Sequence, residues 1–180
     1  MLGLSDCEAL GTGWWVQPVN AWSSLAFVLA GVWLLVATAG ASGGRRTASW
    51  AYAGGLALVG VGSLLYHGPQ PGVAVAVHDG SLVVVVALAV GVPLVRALRG
   101  CRVLPGATRR RVVTVMALGM TALVALRLGR TGSPLCDQAS WVQWHAAWHL
   151  LAAATLAGWG LLLFTGKTPA DSGRAARVTP

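Results

Sequence analysis

The sequence predicts an all-α, polytopic transmembrane helix bundle of about five spans, and three observations carry that reading. Of the 180 residues, 56% are hydrophobic and only 10% are charged, where an ordinary soluble domain carries about 25% charged residues. Uninterrupted apolar runs long enough to cross a bilayer recur along the chain. The basic residues fall between those runs rather than in one patch, so the net charge of +8 reports orientation in a membrane and not a nucleic-acid surface. Residues 1–166 read as one domain and 167–180 as a disordered cytoplasmic tail. No basic stretch followed by an apolar core opens the chain, so no cleavable signal peptide is expected. Lys167 is the single lysine in a composition rich in Arg, Ala, Gly and Val, which suits a GC-rich bacterial gene and a bacterial cell membrane.

In chain order, Met1 to Gln17 holds two acids, Asp6 and Glu8, and no base; Trp14 and Trp15 suit a membrane interface. Pro18 favours a helix start, and the first span is placed at about Val19 to Ala39. A Gly/Ser loop with Arg45 and Arg46 leads to a second span from about Trp50 to Tyr66. Gly68, Pro69, Pro71 and Gly72 make a tight turn before a third span from about Val73 to Leu98. An arginine-rich loop precedes the fourth span, about Val112 to Leu128, and a short polar loop with Arg130, Cys136 and Asp137 precedes the fifth, about Ala139 to Phe164. Most basic charge lies after spans one and three and in the tail, so the positive-inside rule places the N-terminus outside and the C-terminus inside.

Polar residues inside these spans are costly and therefore point to function. Within Trp144-His145-Ala146-Ala147-Trp148-His149, the two histidines are four apart and share one helix face. Span two carries Ala51, Gly55, Val59, Ser63 and His67 at steps of four, a narrow stripe of mostly small residues that ends in polar groups at the outer end. Span three starts outside, with His78 and Asp79 about two turns in. Three helices thus deliver Ser63, His67, Asp79, His145 and His149 to a similar depth. His67, His145 and His149 match the three protein ligands of a catalytic zinc, which leaves a position for water and acidifies it. Asp79 is placed to act as base and Ser63 to assist a developing oxyanion. The plainer readings are helix–helix hydrogen bonds for the histidines, back-bonding to its own helix for Ser63, and an interface belt for Trp141, Trp144 and Trp148. His78, next to Asp79 and roughly 100° around the helix, reads as a supporting or interface residue, and Gly60 and Gly62 as packing glycines.

The set Ser63-Leu64-Leu65-Tyr66-His67, then Asp79 twelve residues on, then His145-Ala146-Ala147-Trp148-His149, resembles the alkaline ceramidases and the wider superfamily of seven-helix zinc membrane hydrolases that includes the adiponectin-type receptors. Asp6-Cys7-Glu8 and the Asn20 and Ser23 pair resemble that family's opening motifs. The resemblance implies a zinc-dependent amidohydrolase that cleaves ceramide-like N-acyl lipids to a fatty acid and a long-chain amine. In that reading His67, His145 and His149 hold the zinc, Asp79 activates water, Ser63 assists at the oxyanion, and the site faces the outer half of the membrane. Five spans in place of seven leave out a helical hairpin between the third and the last, which preserves the direction of the last helix. The missing walls predict an open cleft or a homodimer. Leu10 and Gln17 stand where calcium ligands of the ceramidases are expected, so no calcium is expected here.

Cys7 and Cys136 fall on the expected outer side and Cys101 on the inner. Side alone leaves two readings for the outer pair, a disulfide over the mouth of the bundle or two small buried thiols; the resemblance favours the bridge. Other functions compete with the amidase: a related lipid esterase, a non-enzymatic membrane receptor or stress protein with a structural zinc, and a metal or proton transporter. A structural zinc normally has four protein ligands, and transport needs polar positions on towards the inner face, where spans two, three and five turn apolar.

Overall fold

The apolar runs become six α-helices in the computed structural model, which describes residues 3–166; the expected tail at 167–180 lies outside the described residues. They are α1 (Pro18–Ser23), α2 (Leu25–Ala37), α3 (Gly43–His67), α4 (Ala74–Leu98), α5 (Arg109–Leu128) and α6 (Trp144–Phe164). Five segments are long and apolar enough to cross a membrane, with α1 and α2 together forming the first. The break between them has a local cause. The hydroxyls of Ser23 and Ser24 both donate to the Asn20 carbonyl, at 2.9 and 2.8 Å, and such back-bonding competes with the helical ladder and bends it.

Three boundaries differ from the sequence expectation, one of them the start of α5, which takes Arg109, Arg110 and Arg111 into its first turn. α3 begins at Gly43, so Arg45 and Arg46 lie in its first turn rather than in a loop. α6 begins at Trp144 rather than near Ala139. Upstream of it, the Gln143 amide donates to the carbonyls of Asp137 and Ser140 at 3.1 and 2.6 Å, which holds that stretch as a turn.

α3 is the centre of the bundle. It packs against α2 on one side and α4 on the other, while α6 packs against α2 and α5 and also reaches α1 and α3. Phe27, Leu34, Tyr52, Leu56, Ala153 and Leu163 fill the core where these helices meet. Two polar side chains tie helices together without leaving a buried donor unpaired: the Tyr52 hydroxyl donates to Leu156 O at 2.9 Å, and the Trp159 indole donates to Ala89 O at 3.0 Å. The small-residue stripe on α3 is buried from Gly55 to His67, with Ala51 outside it and exposed. Gly60 and Gly62 are contact points as expected. A methyl on Gly60 would lie 2.8 Å from Val28 N and 2.9 Å from Ser24 O, and one on Gly62 would lie 2.7 Å from His78 Cα. The second contact brings His78 against the polar end of α3.

α4 and α5 make no backbone contact with each other among the described residues; each leans on its own partner, α3 or α6. The bundle is therefore split along one side, between α4 and α5.

Gly60→Leu is expected to lower stability by about 1–3 kcal/mol, as over-packing of a tight contact does, whereas Gly91→Leu, at a position with open space around it, changes it little. Reversible unfolding in mixed micelles measures both.

Candidate metal site at the N-terminal end of the bundle

His67 is the last residue of α3, and His145 and His149 occupy the first two turns of α6. α3 ends and α6 begins at this face, so the two helices run in opposite directions and bring His67 level with His145 and His149; this end is also where the N-terminal segment folds back. The close approach of α5 to α6 at Gly129, where a methyl would lie 2.5 Å from His145 N, sets the start of α6. The three imidazoles are buried and present one ligand atom each within 4.8 Å of one another. Their ring centroids are 4.6 to 5.3 Å apart.

Each Nδ1 faces a residue from the N-terminal segment or the end of α1. His67 Nδ1 is 2.7 Å from Gln17 Oε1. His149 Nδ1 is 2.8 Å from Ser23 Oγ. His145 Nδ1 is 3.2 Å from Asp6 Oδ1, close enough for an ion pair but out of line for a hydrogen bond, so it has no hydrogen-bond partner among the described residues. No family model, curated protein or solved structure matches this chain. The chemistry of the site therefore rests on its own residues, and three buried imidazole donors, with no fourth protein ligand among the described residues, fit a metal ion with an open position.

A cavity of about 240 Å³ opens beside the histidines. Ser63, His67, His145 and His149 line it, with His78 and Leu82 from α4, and Leu126 and Arg130 on the α5 side. Ser63 sits where the sequence placed it, buried, with its hydroxyl 3.4 Å from His149 Nε2 and paired with that of Ser24 at 2.9 Å. Asp79 does not line the cavity. Its side chain is 63% exposed and accepts a hydrogen bond from His78 Nδ1 at 2.8 Å. His78, expected only as a supporting residue, is the member of the pair that faces the cavity, stacked on Tyr66 at a centroid distance of 4.8 Å. Trp148 also lines the cavity, whereas Trp141 is exposed.

The N-terminal segment is fastened to the bundle at several points. Cys7 and Cys136 form a disulfide with Cα atoms 5.5 Å apart, and Cys101 is free and exposed. Cys7 N donates to Gly129 O at 2.8 Å and Thr131 N to Ser5 O at 3.0 Å. Arg130 donates to Asp6 Oδ1 at 2.9 Å and to Ser5 Oγ at 2.8 Å. Burial holds the Asp6 carboxyl above the usual carboxylate range, against the pull of Arg130. Glu8 accepts from Val19 N at 2.7 Å and Asn20 N at 2.8 Å, so a carboxylate meets the exposed amides that start α1. Burial raises its pKa, and those two amides oppose the rise.

Asp6, Gln17, Ser23 and Arg130 carry structural weight here that the sequence reading did not assign. The available signal was weak: Asp6 belonged to an opening motif and Gln17 was noted only for what it was not. Cys7→Ser is expected to lower stability by about 2–4 kcal/mol, as loss of a bridge closing a long loop does; equal unfolding midpoints for the oxidised and reduced protein would show that the bridge contributes nothing.

Proposed function

We propose that this chain is a zinc-dependent integral membrane hydrolase that adds water across the amide bond of ceramide-like N-acyl lipids, releasing a fatty acid and a long-chain amine. The observation that carries the reading is the buried cluster of His67, His145 and His149 opening onto a cavity between two apolar helices. An ionisable cluster in an apolar bundle marks a functional site, and a three-nitrogen set without a fourth protein ligand is the catalytic zinc pattern. The motif resemblance to the alkaline ceramidases supports the lipid amide, and the split between α4 and α5 offers an acyl chain a lateral path from the membrane. The charge bias of the loops supports an outward-facing site in a bacterial cell membrane.

A zinc ion bound there supplies a Lewis acid and an acidified water. The protein's own groups then divide the remaining work. Ser63 donates its hydroxyl towards the carbonyl oxygen as that oxygen gains charge. His78 takes a proton from water at the cavity face and returns it to the leaving amine. Asp79, behind it at 2.8 Å, orients the His78 ring, so the role expected for the carboxylate alone falls to the pair. Leu82, Leu126 and Trp148 line the apolar side of the cavity that would receive the chain.

Purified protein is expected to carry about one zinc per chain and to release fatty acid from an N-acyl lipid panel, with activity lost on chelation and restored by zinc. His149→Ala loses both metal and turnover. His78→Ala keeps the metal and loses turnover by about 10²–10⁴-fold, the usual worth of a positioned proton carrier, and Asp79→Asn loses less. A larger loss in Asp79→Asn than in His78→Ala returns the base role to the carboxylate. A metal-loaded protein inert towards every lipid amide and ester leaves a non-enzymatic metal protein as the reading.

A further inference from the structure

A buried imidazole has two nitrogens, and a metal can use only the one that carries no proton. Which nitrogen that is depends on the hydrogen bond made by the other. Two bonding patterns, one in the N-terminal segment and one at the end of α1, decide it for His67 and His149.

Gln17 is completely buried. Its Nε2 donates to Gly3 O at 3.2 Å and to Glu8 O at 2.9 Å. Both amide protons are then spent on carbonyls, which can only accept, so the amide cannot be flipped without facing carbonyl against carbonyl. Oε1 is left to face His67 Nδ1 at 2.7 Å, and an oxygen acceptor requires the proton on Nδ1. Ser23 repeats the logic with a hydroxyl. Its single proton goes to Asn20 O at 2.9 Å, so towards His149 Nδ1, at 2.8 Å, Oγ has only lone pairs to offer. Asp6, held by Arg130 at 2.9 Å, turns the same carboxylate oxygen towards His145 Nδ1 at 3.2 Å, but out of line for a hydrogen bond, so it leaves the His145 tautomer unassigned. His67 and His149 are therefore protonated at Nδ1, and each keeps a bare Nε2.

We infer that the N-terminal segment and the end of α1 form the orienting cradle of the metal site, with Gln17 and Ser23 as positioning residues that lock His67 and His149 in the Nδ1–H form. The inference rests on the metal-binding part of the proposed function and not on the reaction or its substrate. It assigns a purpose to the way the segment is fastened. The disulfide at Cys7 fastens the segment, and Glu8 ties it to Gln17 through its carbonyl and to the start of α1 through its carboxylate. Gln17 and Ser23 would act on a bound ion only through a ring.

The test uses the full chain in detergent micelles with two readouts. Zinc affinity is measured by competition with a chromophoric chelator, and the tautomer of each ring in the metal-free protein is read from 15N shifts of labelled histidine, of which the chain has four. In the wild type, His67 and His149 should give Nδ1–H shifts. Gln17→Met, which keeps the bulk and removes the acceptor, should weaken zinc binding by about 10–100-fold, the usual effect of losing such a partner, and shift His67 towards the Nε2–H form. Gln17→Glu, which keeps an acceptor on His67 at the cost of an oxygen facing the Gly3 and Glu8 carbonyls, should keep His67 in the Nδ1–H form. Ser23→Ala should do to His149 what Gln17→Met does to His67. A Gln17→Met protein with wild-type affinity and an unchanged His67 tautomer overturns the inference. So does a loss of affinity in both Gln17 variants alike with no tautomer change, the mark of a merely structural residue. A wild type that binds no zinc but shows the Nδ1–H pattern refutes the metal reading and leaves the tautomer assignment standing.

Discussion

Burying three imidazoles together is the constraint on which the rest of this structure depends. Unpaired polar groups in an apolar interior cost several kcal/mol each, and His67, His145 and His149 bring six ring nitrogens to one place at the end of the bundle. Three of those nitrogens face Gln17, Ser23 and Asp6. The rings that carry the other three lie with centroids 4.6 to 5.3 Å apart, an arrangement that could hold a shared cation. His145 Nδ1 is the imperfect member, near its carboxylate but not aligned with it.

That requirement explains the elaborate seating of a segment with almost no regular structure. Residues 3–17 have no core of their own. They are held by the Cys7–Cys136 bridge, by backbone bonds to Gly129 and Gln138, and by Arg130. Their polar side chains point down into the bundle and supply what the helices cannot. An apolar helix has no spare hydrogen-bonding groups to offer a neighbouring imidazole, because its backbone is already paired and its side chains are Leu, Val and Ala. The partners must come from outside the spans or from the Ser-rich break at Ser23 and Ser24.

On the opposite flank the structure is open. α4 and α5 each have one main partner and do not meet, and the cavity lies between them beside the histidines. Gly62 contributes here by letting α4 approach α3 at His78. The consequence is that His78 joins the cavity wall, while Asp79, one position further and about 100° around the helix, is turned outwards.

The five spans, the small-residue stripe from Gly55 to His67 and the convergence of His67 with His145 and His149 were legible in the sequence, because hydropathy, helical spacing and span direction are local or additive properties. A residue's depth follows from its distance to the end of its own run, and three helices running through one slab must bring equal depths level. The break at Ser24, the start of α6 at Trp144, the exchange of roles between His78 and Asp79, and the partnership of Asp6, Gln17 and Ser23 with the three rings were decided only by the tertiary structure. These depend on how far each helix is rotated about its axis and where an irregular segment comes to rest. Both are set by contacts between separate elements, such as Gly62 with His78 and Ser23 with His149, for which no local pattern in the chain is a proxy.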